Sequence, residues 1–151
     1  MMNVKSANHE MVCENIFRNL GPVYNANTSE NHPLIFVSED DFKAGMTILA
    51  ICARMHADIK VYAFQLMSNH IHLVIGGEPQ RIQVFFKYYV DRLNKFFDGR
   101  NVLNDMTLKL FPVNDLSYLR NAIAYVNRNG FVVNSNVTPF SYPWGSSPYF
   151  F

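Results

Sequence analysis

At 151 residues the chain is about one domain long, and with 49% hydrophobic and only 17% charged residues it can bury an ordinary core and is not a disordered polymer. Its formal charge of +1 hides a split: residues 1–80 hold 5 Lys/Arg against 8 Asp/Glu, residues 81–130 hold 8 against 4, and residues 131–151 hold none. No apolar run reaches the ~18 residues of a membrane span, the start lacks the basic-then-apolar order of a secretory signal, and Cys13 and Cys52 match neither a zinc spacing nor a disulfide framework; a cytoplasmic protein with no membrane partner is expected.

Glu10 to Leu20 has the pattern of a short helix stopped by Gly21, and Val23 to Thr28 that of a short strand. Ser38-Glu39-Asp40-Asp41 opens a helix as a capping box does, the serine oxygen taking a first-turn amide and Asp41 bonding back. Phe42, Met46, Leu49, Cys52 and Met55 then recur at helical spacing to about Ala57. Ile59 to Leu66 is β-rich, with Ile59, Val61, Ala63 and Gln65 predicted on one face, and Met67-Ser68-Asn69 is a turn into a second strand, His70 to Gly76. Arg81 to Phe97 carries Val84, Phe85, Tyr88, Tyr89, Leu93, Phe96 and Phe97 along one helical face. A fourth strand is expected at Met106 to Phe111. Asp115 is the N-cap of a last helix through Leu119, Ile123 and Val126, ending near Gly130. This order predicts one α+β domain, helices packed on an antiparallel sheet, with residues 1–21 as an N-terminal extension.

Side chains alternate along a strand, so His70 and His72 share a face while Ile71, Leu73 and Ile75 go to the other. Two neighbouring imidazoles can chelate one cation through neutral ring nitrogens. They can equally decorate an ordinary strand, which spacing alone favours, and two ligands do not complete a site.

Three blocks, in order, carry a family resemblance. Leu66-Met67-Ser68-Asn69-His70-Ile71-His72-Leu73 resembles the M-P-N-H-x-H-L signature of single-tyrosine HUH transposases, preceded by an acidic helix start at Phe36 to Phe42. Ala124-Tyr125-Val126-Asn127-Arg128-Asn129-Gly130 is similar to that family's Y-I-H-x-N-P-V helix, and Tyr142-Pro143-Trp144-Gly145-Ser146-Ser147-Pro148-Tyr149 to its W-P-W-S-S-Y block. The likeness is strongest to REP-associated tyrosine transposases and their insertion-sequence relatives, and spans about residues 22 to 149. Ser68, Asn127 and Gly130 depart from the pattern, Gly130 standing where a proline is usual and so predicting a glycine C-cap.

The resemblance implies a ferredoxin/RRM-like HUH nuclease core and a DNA transposase, a single-strand endonuclease-ligase. His70, His72 and Asn129 are the implied ligands of Mg2+ or Mn2+, and Tyr125 the implied nucleophile. Tyr125 and Asn129, four apart, share a helix face. A free phenol, with a pKa of about 10, is a poor nucleophile at neutral pH, so the metal or a base must assist attack on the phosphate. The implied product is a 5′-phosphotyrosine with a free 3′-hydroxyl, which a second 3′-hydroxyl can reverse. The alternative is a catalytically silent, domesticated protein that binds single-stranded or hairpin DNA. A structural metal site, completed by His32, His56 or a cysteine, is a third.

A single strand needs cations beside exposed rings. Arg81, Lys87, Arg92, Lys95 and Arg100 surround the aromatic helix, where Tyr88 and Tyr89 are either core or base-stacking residues, and Arg120 and Arg128 flank Tyr125. The finish Pro148-Tyr149-Phe150-Phe151 is of a kind normally covered, which points to a further C-terminal region or an interface. The sequence is compatible with a monomer or a homodimer.

Overall fold

A computed structural model of the chain describes residues 4–98, 100, 105–133, 136 and 138–149. Helix α1 (Val4–Arg18) leads into β1 (Val23–Asn27), α2 (Glu39–Met55), the hairpin β2 (Lys60–Leu66) and β3 (Ile71–Gly76), α3 (Pro79–Phe97), β4 (Lys109–Pro112) and α4 (Leu116–Val133). The strands form one antiparallel sheet in the order β2-β3-β1-β4.

Local chemistry accounts for the element starts. Ser38 Oγ accepts from the Asp41 amide at 3.2 Å, and Asp41 Oδ2 accepts from the Ser38 and Val37 amides at 3.1 and 2.8 Å, completing the capping box of α2. Arg100 closes on the same carboxylate through two nitrogens, at 2.7 and 2.9 Å, while lying over the Phe97 ring. Burial alone would raise the Asp41 pKa; Arg100 and the two amides outweigh it and hold the carboxyl below its ordinary 3.8. Asp115 caps α4 by accepting from the Tyr118 amide at 2.7 Å.

Helices pack on both faces of the sheet, most fully at its centre, where β3 is buried at all six positions. Ile71, Leu73 and Ile75 join α2 and α3 in the larger core, with Phe36, Leu49, Phe85 and Tyr89. Val74, Ala63 and Val23 meet Leu119, Ala122 and Val126 of α4, with Phe17 and Leu20 beside them. The hairpin turn closes as expected, the Met67 amide donating to the His70 carbonyl at 2.9 Å.

Four expectations need correction. Ile59, Val61, Ala63 and Gln65 do not share a face, because the β2–β3 register jumps between Val61 and Ala63. Tyr62 is the extra residue of that bulge, so Val61 packs with the larger core and Ala63 with the α4 side. Gly130 does not end its helix: α4 continues to Val133, because the glycine serves a close approach. A Cβ there would stand 2.4 Å from Tyr142 Cγ and 2.6 Å from the Gln65 amide. The fourth strand begins at Lys109, three residues later than predicted. On α3, Phe86 takes a core position while Val84 and Phe96 are exposed.

The uncharged tail is not loose. The Leu66 amide donates to the Trp144 carbonyl at 2.8 Å, the Ser146 amide to the Phe64 carbonyl at 2.9 Å, and Tyr142 Oη to the Leu66 carbonyl at 2.7 Å. The tail thus runs as a strap along the outer edge of β2, and Trp144 stacks on Phe42 with ring centroids 5.1 Å apart. Burial pushes the Tyr142 phenol up to about 12. Among the described residues no helix is long and apolar enough to cross a membrane.

Candidate active site

Alternation on β3 sends His70 and His72 to the α4 side of the sheet, and the structure brings the two rings together with centroids 4.8 Å apart. Both are buried, His72 to 1% exposure. Tyr125, from the facing turn of α4, sits edge-on to His72 with ring centroids 5.7 Å apart, and its own side chain is 44% exposed. A buried imidazole pair and a tyrosine open to solvent therefore share one wall.

A third donor comes from a place the periodicities did not mark. Glu30, in the loop after β1, offers a carboxylate oxygen that lies with nitrogens of His70 and His72, all within 4.8 Å of one another. Two contacts position that loop. Thr28 exchanges hydrogen bonds with Ile71, its amide donating to the Ile71 carbonyl at 3.1 Å and its hydroxyl accepting from the Ile71 amide at 2.9 Å. Asn69 Nδ2 donates to the Glu30 carbonyl at 2.5 Å. The sequence signal was faint: a lone acid in a polar loop, a few residues past a strand that pairs with the histidine strand.

Asn69 also fixes a tautomer. Its Nδ2 is committed to Glu30, so its Oδ1, 2.8 Å from His70 Nδ1, must accept a proton from that ring. His70 Nε2 then carries a lone pair. Neither ring nitrogen of His72 has a hydrogen-bond partner among the described residues. Buried polar atoms are rarely left unmatched, and each orphan costs on the order of 1–3 kcal/mol. Burial and, secondarily, His70 bring the His72 imidazole down to about 4, and burial also lowers His70 against the pull of Glu30. Both rings are therefore neutral at pH 7, the form that binds a cation. Two neutral imidazoles and a carboxylate suit a divalent metal, and the unmatched His72 nitrogens fit one.

Asn129 lies one turn after Tyr125. Its Nδ2 donates to the Tyr125 carbonyl at 2.9 Å, and its Oδ1 has no partner among the described residues. Asn127, which stands where the resemblance leads one to expect histidine, is buried and accepts from Ser146 Oγ at 3.0 Å, joining α4 to the strap. Gln65, fully buried and opposite His72 in the register, completes that join: with its amide turned to satisfy both partners, its nitrogen donates to the Val126 carbonyl and its oxygen accepts from the Gly130 amide at 3.0 Å.

The predicted cations divide into two groups. On α3, Arg81 is paired with Asp58 at 2.6 Å, Lys87 with Asp91 at 3.1 Å, and Arg92 lies on the Tyr88 ring and donates to its hydroxyl. Lys95 is exposed without a partner among the described residues. Tyr89 is core, its hydroxyl donating to the Gly45 carbonyl at 3.2 Å, and Tyr88 is half-buried against Met55. On α4, Arg120 and Arg128 are exposed, with no ion-pair partner among the described residues. Both line a cleft of about 540 Å³ between α4 and the strap, and Arg128 also borders a hollow of about 250 Å³ beside Tyr125.

No protein-family model and no curated protein matches the sequence. Among solved structures, a REP-associated tyrosine transposase bound to a REP hairpin is similar in fold, with a TM-score of 0.65 over 83% of this chain and 76% of that one, at 10% identity. The α+β fold, a four-stranded antiparallel sheet carrying helices, is shared with that structure.

Proposed function

We propose that the protein is a metal-dependent, single-tyrosine DNA nuclease-ligase of the transposase type, acting on single-stranded or hairpin DNA. The observation that carries this reading is the Tyr125 ring edge-on to His72, whose buried nitrogens lack partners among the described residues and one of which lies within 4.8 Å of a Glu30 carboxylate oxygen. The distant likeness to a hairpin-bound transposase supports the choice of substrate.

His70, His72 and Glu30 would hold Mg2+ or Mn2+, with the unbonded Oδ1 of Asn129 as a further oxygen donor. A bound cation would supply charge to a phosphate oxygen and help orient the diester. The protein's own groups do the rest. Tyr125 Oη attacks phosphorus, the bond to the 3′-oxygen breaks, and the leaving oxygen takes up a proton as the phenol gives one up. The product is a 5′-phosphotyrosine and a free 3′-hydroxyl. Attack by a different 3′-hydroxyl releases the tyrosine and joins strands without ATP, because the diester is conserved. Arg120 and Arg128, cations of the same helix with no ion-pair partner among the described residues, would hold flanking phosphates.

The test is covalent capture: incubation of the protein with a labelled hairpin oligonucleotide and Mn2+, followed by denaturing electrophoresis. An adduct that vanishes in Tyr125→Phe and with chelator supports the reading. An adduct that survives in Tyr125→Phe rejects the nucleophile. Hairpin binding by the parent protein with no adduct, indifferent to chelator, favours the silent DNA-binding protein instead.

A further inference from the structure

The row of residues that crosses the sheet at His72 does not stop at the site. Gln65, His72, Asn27 and Lys109 stand directly opposite one another in register, one from each of the four strands, so all four lie on the α4 side. Helix α4 packs on β2 and β3, where Gln65 is sealed beneath it. Toward β1 and β4 the row opens: Asn27 is half-buried and Lys109 exposed, and the Lys109 ammonium has no partner among the described residues. One row along, Phe111 stands opposite Asn25, which stands opposite Val74. Its neighbour Leu110 packs with the larger core on the far face, yet Phe111 is 46% exposed. Beside it the buried Oδ1 of Asn25 has no hydrogen-bond partner among the described residues.

We infer that this strip is a track for the single strand that leads to the histidine pair, with Lys109 holding a phosphate and Phe111 stacking on a base; the inference rests on the reading above. A free cation and a half-exposed ring on one face are the two elements that sequence-tolerant strand binding needs. Strands lie about 4.8 Å apart, so Lys109 stands two strand spacings, roughly 10 Å, from His72 along one row. That brings a phosphate on Lys109 into the same strand as a phosphate at the histidines. The cations of α3, Lys95 included, and its exposed Phe96 belong to a helix packed with Ile71, Leu73 and Ile75 on the opposite face of the sheet from the histidines. A lysine on an edge strand also discourages strand-to-strand association, and that simpler role makes no demand on DNA affinity.

The experiment is equilibrium binding of a fluorescent single-stranded oligonucleotide, followed by anisotropy across a salt series. Parent and variants all carry Tyr125→Phe so that no covalent product forms. Lys109→Ala is expected to flatten the plot of log affinity against log salt by about 0.7, the slope of one phosphate contact on a single strand, and Lys109→Arg to restore it. Phe111→Leu, which keeps an apolar side chain on the strand, is expected to weaken binding by about 5- to 150-fold, and Phe111→Tyr to retain it. Equal affinities and slopes in parent and variants, with unchanged melting temperatures, overturn the track alone. Failure of the parent to bind any single strand overturns both the track and the function it rests on.

Discussion

Tyr125 stands edge-on to His72 at a ring-centroid separation of 5.7 Å, although the two residues belong to different layers of the fold. The contact holds the Tyr125 ring against the histidine pair while the residue stays 44% exposed. An aromatic pair of this kind is worth about 0.5–1.5 kcal/mol, and it depends on the ring and not on the hydroxyl. Tyr125→Phe should therefore change unfolding free energy by less than about 0.5 kcal/mol and leave Mn2+ affinity unaltered. Calorimetry and urea denaturation of that variant check both. A large drop in either would mean that a missing adduct reports a damaged site, not a missing nucleophile.

Asn69 is not among the proposed ligands, yet it sets His70's tautomer and holds the Glu30 loop by its carbonyl. Partners that orient a ligand typically matter 10- to 100-fold in metal affinity. Asn69→Ala should weaken Mn2+ binding by about that factor. Since Asn69 lies in a partly exposed turn, stability should fall by about 1 kcal/mol at most. Titration calorimetry showing parental affinity in this variant would remove Asn69 from the site.

Acid should destabilise the metal-free protein over a defined window. The His72 imidazole is brought down to about 4 from an ordinary 6.5, chiefly by burial. As pH falls the unfolded chain takes up the proton first, so stability is lost from about pH 6.5 downward and levels off below about 4. The size is on the order of 3 kcal/mol, and His70, shifted in the same direction, adds to it. Denaturation midpoints measured in chelator between pH 7.5 and 4 should trace this curve. His72→Phe should flatten it; an equally steep profile in that variant would exclude His72 as its source.

Gly130→Ala sets two effects against each other. Alanine in a helix interior is favoured over glycine by about 1 kcal/mol. Here the added carbon would meet the Tyr142 ring at 2.4 Å and the Gln65 amide at 2.6 Å, neither of which can withdraw without breaking its own hydrogen bonds. Overpacking of that kind costs about 1–3 kcal/mol, and buried hydrogen bonds are at risk as well. Net destabilisation of about 1–2 kcal/mol is expected in urea. Stabilisation would show that the strap yields easily.

Period and caps carried most of the fold in legible form. The alternation around Ile71 correctly separated the histidine face from the core face, and the Ser38 and Asp115 caps sit where their side chains predicted. What failed depended on partners distant in the chain. Tyr62 shifts the phase of β2 by one residue, which no local pattern records. Gly130 resembled a helix stop until Tyr142 and Gln65 were seen against it. The aromatic face of α3 and its cations left core and DNA contact open; Asp58, Asp91 and the Tyr88 hydroxyl then claimed Arg81, Lys87 and Arg92. Glu30 escaped notice because its place comes from Asn69 and Thr28, not from any period of its own.

The strap has a consequence for the order in which the molecule comes into being. The imidazole pair and Glu30 are complete within the first half of the chain, whereas the tyrosine's helix is fastened to β2 partly through Tyr142 and Ser146. Synthesis delivers the strap after both. A nascent chain would thus present the three donors of the proposed cation site before the segment that fastens the helix of Tyr125.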